Sequence, residues 1–130
     1  MAYDHGAFRV RNLDDAIAFY TTKLGFKYLF SGENEKDAEK YAFLEYNGAR
    51  LELIETVNRT YCPSTPEHPY CPHLCFDADN MDDVVKMLRE NDLMILNGPN
   101  EIPGSEQWIY FADPDMNVLE YIVWLDKERK

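Results

Sequence analysis

The spacing of apolar residues changes along the first 25 residues of the chain. Residues 3–11 alternate, with Phe8 and Val10 on one face and polar side chains such as His5 and Arg9 on the other, which predicts a β-strand. Apolar residues then recur every three or four positions, at Leu13, Ile17, Tyr20 and Leu24. That spacing predicts a helix ending near residue 23.

Three further strands are predicted after this helix. Residues 26–30 form a short apolar run, whereas residues 31–39 are charged and indicate an exposed loop. Asn47-Gly48 is a strong hairpin signal, and it joins two runs of strand-forming residues at 40–46 and 49–56. The first half therefore has the predicted order β-α-β-β-β.

The same order is predicted again after residues 57–71, which contain three prolines and no periodicity and are interpreted as a linker. The second set comprises a strand at 72–78, a helix from the cap Asn80 to about residue 91, a short strand at 93–96, a mobile loop at 97–105, and strands at 107–111 and 118–124. The sequence thus predicts an α+β protein, with residues 1–130 forming one domain of two tandem βαβββ modules at about 3–56 and 72–124.

An internal duplication links the two modules. At an offset of 68 residues His5 falls on His73 and Glu52 falls on Glu120, so His and Glu are separated by 47 positions in each half. The run Asn-x-Asp-Asp that begins at Asn12 recurs at the same offset. A shared spacing of this kind is typical of repeated structural units.

The repeated residues also carry chemistry. Two imidazoles and two carboxylates are a plausible ligand set for one divalent metal ion. Each helix is expected to pack on the apolar face of its sheet, which leaves His5 and His73 on the polar face as the default pocket. Glu120 lies in the middle of an apolar strand and needs a partner there, unless that strand is an edge exposed to water.

Composition excludes several classes of function. A net charge of −11 argues against nucleic acid or an anionic membrane surface as a partner, and no apolar run is long enough to span a bilayer. The first residues lack the pattern of a signal peptide, so we expect a cytoplasmic protein. Cys62, Cys71 and Cys75 fit no disulfide framework or zinc knuckle and are interpreted as reduced thiols.

These features together resemble the vicinal oxygen chelate superfamily, which includes glyoxalases, bleomycin resistance proteins and dioxygenases. The signatures are His5, the run 13–20 (LDDAIAFY), the run 24–26 (LGF), the run 51–53 (LEL), His73, and the run 113–115 (DPD) that leads to Glu120. The resemblance covers nearly the whole chain and is closest to the lactoylglutathione lyases. It implies that the two modules form a curved mixed sheet around a metal pocket.

The resemblance also implies roles for individual residues. His5, Glu52, His73 and Glu120 correspond to metal ligands, with Ni²⁺ or Co²⁺ favoured and Zn²⁺, Mn²⁺ or Fe²⁺ as alternatives. Either glutamate could act as general base, and we favour Glu120 with Glu52 as its partner. Arg9 corresponds to a substrate-binding arginine, although a plain ion pair with the repeat-equivalent Asp77 is an equal alternative.

The implied reaction moves a proton next to a carbonyl through a metal-bound enediolate. It converts the hemithioacetal of methylglyoxal and a thiol to a 2-hydroxyacyl thioester, a methylglyoxal detoxification. The alternatives are a binding or resistance protein of the same fold, with or without metal, and an Fe-dependent dioxygenase. We further expect a homodimer in which His5 and Glu52 of one chain meet His73 and Glu120 of the other.

Cys75, on the same face as His73, is expected to line the pocket, and His68 is expected to lie on the surface.

Overall fold

The computed structural model describes residues 1–130 and contains two helices and eight strands. In chain order these are β1 (His5–Arg9), α1 (Leu13–Lys23), β2 (Lys27–Asn34), β3 (Glu39–Tyr46), β4 (Ala49–Thr56), β5 (His73–Asp77), α2 (Met81–Glu90), β6 (Met94–Ile102), β7 (Glu106–Ala112) and β8 (Val118–Trp124). The order β-α-β-β-β occurs twice, and the predicted α+β class is confirmed.

The chain divides into two compact units, Met1–Ser64 and Thr65–Lys130, each containing one mixed four-stranded sheet. The strand order is β1-β4-β3-β2 in the first unit and β5-β8-β7-β6 in the second. The pairs β1–β4 and β5–β8 are parallel, and the other neighbouring strands in each sheet are antiparallel. The first and last strands of each unit are therefore neighbours, although they are far apart in sequence.

Each helix covers one face of its own sheet: α1 packs on β3 and β4, and α2 packs on β6 and β8. Alternation along β4 buries Leu51 and Leu53 completely or almost so, and turns Glu52 to the other face. Ile109 and Phe111 of β7 are fully buried in the same way. Burying each such side chain stabilises the fold by about 1.5–3 kcal/mol. The opposite face of each sheet, which carries the polar side chains, is not covered by the helix.

The helix starts follow the predicted capping chemistry. The side chain of Asn12 accepts a hydrogen bond from the Asp15 amide at 2.9 Å, and that of Asn80 accepts one from the Asp83 amide at 3.0 Å. Acidic residues in each first turn also favour the positive end of the helix dipole. Neither helix has the length and apolar character needed to cross a membrane.

The prediction of an exposed loop at residues 31–39 is wrong. β2 continues to Asn34 and β3 begins at Glu39, so only a short turn separates them. Gly32 lies under the Tyr41 ring, where an added Cβ would come within 2.5 Å of the tyrosine hydroxyl. The charged residues that indicated a loop are tolerated because this hairpin is at the exposed edge of the sheet.

The mobile loop predicted at residues 97–105 is also a strand for most of its length, since β6 runs to Ile102. The register of β6 against β7 shifts on both sides of Asn97, and Gly98 adopts a positive φ of 107° within the second shift. Gly and Pro are compatible with a bulged edge strand, and β6 is the edge of its sheet. The predicted strand at 93–96 was therefore too short.

A compact hydrogen-bonded turn leads into β8. The buried Asp113 carboxylate accepts hydrogen bonds from the amides of Asp115 and Asn117 through Oδ1, both at 2.9 Å. Its Oδ2 accepts another from the Asn117 side chain, also at 2.9 Å. This turn fixes where β8 begins and therefore which side chains lie beside Glu120.

Candidate metal centre

In the first unit, the structure brings His5 and Glu52 together. β1 and β4 are parallel with Ala7 opposite Glu52, so His5 lies two residues before the position opposite Glu52. His5 Nε2 is 3.3 Å from Glu52 Oε1, and Nδ1 donates to Asp4 Oδ2 at 2.7 Å. The hydrogen bond to Asp4, reinforced by Glu52, raises the pKa of His5 above its usual value.

The second unit repeats this arrangement with His73 and Glu120. His73 Nε2 is 3.6 Å from Glu120 Oε2, while Nδ1 donates to the backbone carbonyl of Tyr70 at 3.0 Å. In both units the histidine is therefore held through Nδ1 and presents Nε2 to a carboxylate. Histidine ligands of metals are usually oriented in this way by a carboxylate or a carbonyl.

Glu120 is the more enclosed of the two glutamates. It is 8% exposed, so the alternative of a water-exposed strand edge is wrong. The Cys75 thiol donates to Glu120 Oε1 at 2.7 Å. Desolvation of the thiol, together with the hydrogen bond and the charge of Glu120, raises the pKa of Cys75 well above its usual range, although part of the residue remains exposed.

Tyr110 lies on the other side of Glu120, as its direct partner in the β7–β8 ladder. Desolvation, the Glu120 charge and a hydrogen bond to Glu120 raise the pKa of Tyr110 to about 12. A shallow cleft of about 180 Å³ begins here, lined by Ile102, Glu106, Trp108, Tyr110, Glu120 and Ile122. The cleft gives Glu120 an open side.

The first unit carries an arginine beside its histidine. Arg50 is opposite His5 in the β1–β4 ladder, and its guanidinium lies over the rings of Phe30 and Phe43, at 5.6 and 5.0 Å from their centroids. Its Nη1 is 4.0 Å from Asp4 Oδ2, and its Nε is buried without a hydrogen-bond partner. The Phe43 ring also contacts the His5 ring edge-on, at 4.9 Å.

The remaining predicted residues lie where the strand pattern puts them. Arg9 is exposed near the end of β1, on the same side of the strand as His5. Asp77, its repeat equivalent, forms an ion pair with Lys130 at 2.6 Å. The three cysteines are free thiols, and His68 is exposed with its ring 5.8 Å from that of Tyr70.

Each unit contains donor atoms of the kind that divalent metal ions bind. Each unit supplies one imidazole Nε2 whose other nitrogen is anchored, and one carboxylate close to it. Imidazole and carboxylate ligands suit Mn²⁺, Fe²⁺, Co²⁺, Ni²⁺ and Zn²⁺. Within neither unit does a group of three or more His, Cys, Asp or Glu side chains form a metal cluster.

Sequence reasoning found the two His–Glu pairs and placed Cys75 on the same face, without revealing its hydrogen bond to Glu120. It missed two other neighbours, since Tyr110 and Arg50 were not assigned to the site. Their strand partners, Glu120 and His5, would have identified them once the registers were known.

Two known proteins are similar in sequence to most of this chain. A lactoylglutathione lyase of Salmonella typhimurium is 29% identical over 127 residues, which cover 96% of this chain and 94% of the relative. The metallothiol transferase FosB of Lysinibacillus sphaericus is 28% identical over 120 residues, covering 91% of this chain and 79% of the relative.

Solved structures share the fold. A glyoxalase family protein from Enterococcus faecalis superposes with a TM-score of 0.75 at 24% identity, covering 93% of this chain and 96% of that one. A second structure is a mutant of the fosfomycin resistance protein FosX from Listeria monocytogenes, complexed with Mn(II) and a dihydroxypropylphosphonic acid. It superposes with a TM-score of 0.77 at 17% identity, covering 98% of this chain and 95% of that one.

The family itself is shown by a match that spans most of the chain. The model of the Glyoxalase/Bleomycin resistance protein/Dioxygenase superfamily matches residues 2–121, a range that includes both His–Glu pairs. Proteins of this superfamily are mostly enzymes and use divalent metal ions. The chain belongs to the glyoxalase/bleomycin resistance protein/dioxygenase superfamily.

Proposed function

We propose that this protein is a metal-dependent lyase of the glyoxalase type, which isomerises the hemithioacetal of methylglyoxal and a thiol to a 2-hydroxyacyl thioester. The observation that carries the proposal is the pair of matched His–Glu units, each with an anchored imidazole. The similarity to lactoylglutathione lyases over almost the whole chain supports it.

His5, Glu52, His73 and Glu120 would hold the metal ion, with Ni²⁺ or Co²⁺ favoured. When bound, the ion supplies a Lewis acid that stabilises negative charge on two neighbouring oxygens of the substrate. The chain's own task is proton transfer. Glu120 takes the proton from the carbon that bears the sulfur, and a proton is returned to the neighbouring carbon that was the ketone, with Glu52 as partner. The hydroxyl proton passes from the oxygen on the sulfur-bearing carbon to the former ketone oxygen. No atom is gained or lost overall.

Arg9 is proposed to bind an anionic group of the thiol. It is exposed near the end of β1, four residues after His5, and a guanidinium forms paired hydrogen bonds with a carboxylate. The thiol therefore carries at least one carboxylate in this proposal. We also propose that the protein acts in the cytoplasm, as a homodimer in which the two pairs of ligands come from different chains.

The test is an assay of metal-reconstituted protein. Apoprotein is loaded separately with Ni²⁺, Co²⁺, Zn²⁺, Mn²⁺ or Fe²⁺ and mixed with methylglyoxal and a panel of thiols, and thioester formation is followed by absorbance. We expect turnover with at least one metal and an anionic thiol, and none in His73→Ala treated identically. No thioester with any pairing, from protein that holds a stoichiometric ion, would reject the lyase.

A second candidate is a metal-dependent resistance protein that adds a thiol to a drug. The similarity to the metallothiol transferase FosB favours it. The same loaded protein, incubated with fosfomycin and the thiol panel, separates the two functions. Adduct formation detected by mass spectrometry, without thioester formation from methylglyoxal, would favour the transferase.

A further inference from the structure

Glu120 is held between hydrogen-bond donors on two neighbouring strands. β8 pairs with β5 on one side and with β7 on the other, which places Cys75 and Tyr110 directly opposite Glu120. The Cys75 thiol donates to Oε1 at 2.7 Å, whereas Oε2 is 3.6 Å from His73 Nε2. One carboxylate oxygen is thus fastened to the protein, and the other faces the candidate metal ligand.

Glu52 occupies the repeat-equivalent position without equivalent donors. Its direct partners in the two flanking strands are Ala7 and Phe43, whose side chains have no hydrogen to donate. The Glu52 side chain is 20% exposed, against 10% for that of Glu120. Sequence repetition makes the two carboxylates equivalent by position, and their neighbours make them chemically different.

We propose that Cys75 is a positioning residue, which tethers Glu120 through Oε1 and leaves Oε2 as the oxygen that takes up the substrate proton. This inference rests on the proposed function. A carboxylate that must accept a proton has to stay within hydrogen-bond distance of it throughout the reaction. A glutamate side chain has three rotatable bonds, so a hydrogen bond to one oxygen restricts where the other can go. Only Glu120 has this restraint, which favours it over Glu52 as the base.

The kinetic test removes the thiol and then restores a donor. We expect Cys75→Ala to lower kcat about 10-fold with KM nearly unchanged, since misplacement of a catalytic group acts on the chemical step. Cys75→Ser should recover most of kcat because its hydroxyl can also donate. Cys62→Ala is the matched control for loss of an exposed thiol outside the site. Full kcat in Cys75→Ala would overturn the tether.

A metal measurement separates tethering from simple support of a metal ligand. Ion content is measured by elemental analysis, and affinity by competition with a chelator, for wild-type protein and Cys75→Ala. We expect a full complement of metal in the variant. Metal loss with unchanged turnover per bound ion would overturn the proposal, because Cys75 would then only stabilise Glu120 as a ligand.

The hydrogen bond itself can be observed in apoprotein, independently of activity. In a Cys62→Ala/Cys71→Ala background the only S–H stretching band in the infrared comes from Cys75. Donation to a carboxylate lowers the frequency of that band, so we expect it to move to higher wavenumber in Glu120→Ala. If the band has the same frequency with and without Glu120→Ala, the tether is rejected whatever the activity. If the band moves as expected but the wild-type protein has no lyase activity, only the proposed function is rejected.

Discussion

At the scale of single residues, burial and partners decide what Glu120 can do. A carboxylate in the middle of an apolar strand is costly unless it is paired, and here both of its oxygens face polar atoms of other residues. If proton transfer is the chemistry, Glu120→Gln should lower kcat by roughly 10²-fold or more, the contribution expected of a general base. The amide should still hold part of the metal, measured by elemental analysis. Near-normal turnover would transfer the role of base to Glu52.

The two histidines are predicted to act on one ion. Each presents Nε2 to its glutamate while Nδ1 is anchored, so replacing either should remove one ligand. We expect His5→Ala and His73→Ala to lose metal and activity together, when both are quantified on the same samples. His68→Ala is the control, since this histidine is exposed and outside the repeat. Full metal stoichiometry in both site variants would contradict a shared centre.

Arg50 gives a residue-scale prediction about stability. Its buried Nε has no partner, while its guanidinium packs on Phe30 and Phe43. Arg50→Met keeps an extended side chain over the rings and removes the unsatisfied donor, so the free energy of unfolding should be unchanged or raised by up to about 1 kcal/mol. Arg50→Ala also loses the packing and should be less stable by about 1 kcal/mol. Urea unfolding compares them, and an equal loss in both variants would show that the charge itself stabilises the fold.

At the scale of elements, the turn before β8 is predicted to make a large contribution to the stability of the second unit. Asp113 accepts three hydrogen bonds within that turn while almost fully buried. Asp113→Ala leaves those donors without their acceptor and should lower the free energy of unfolding by about 3 kcal/mol. Asp126→Ala removes a single exposed acceptor and should cost less than about 0.5 kcal/mol. Similar losses in the two variants, measured by urea unfolding, would contradict this role of the turn.

Most elements could be predicted from the sequence because local signals agree with the fold. The two helices have caps, acidic first turns and apolar spacing, and the hairpin at Asn47-Gly48 has its turn residues. The predicted loops at residues 31–39 and 97–105 failed because the composition of an edge strand resembles that of a loop. Charge, Gly and Pro are tolerated where one side of a strand has no partner, and local sequence does not show which strands are at the edge.

The residues of the candidate site also fall into those that the sequence predicts and those that it does not. The repeat offset identified both His–Glu pairs, since it depends only on residue types and spacing. The offset of 68 residues makes Ala42 the repeat equivalent of Tyr110. In the strand ladders, however, Tyr110 is opposite Glu120, whereas the residue opposite Glu52 is Phe43 and not Ala42. The turns into β4 and β8 differ in length, which shifts the register by one residue and exchanges the faces of the strand. The position of the Tyr110 phenol beside Glu120 therefore depends on the register of β7 against β8, which cannot be obtained from the repeat offset.

At the scale of the whole molecule, each unit would supply half of the proposed four-ligand site. The two His–Glu pairs can come from one chain or from two chains related by a two-fold axis. The shared arrangement, in which His5 and Glu52 of one chain meet His73 and Glu120 of the other, predicts a homodimer with two equivalent centres. Sedimentation of the metal-loaded protein should therefore give the mass of two chains, and a monomer would reject the shared site.

Mixing two inactive variants tests the shared site directly. His5→Ala and His73→Ala are unfolded together in equal amounts, refolded and loaded with metal. In a mixed dimer with shared sites, one site collects both lesions and the other collects none, so random pairing should restore roughly a quarter of wild-type activity. Each variant refolded alone is the control and should stay inactive. If each chain builds its own site, every site keeps one lesion, and no activity should return even when mass spectrometry shows that mixed dimers have formed.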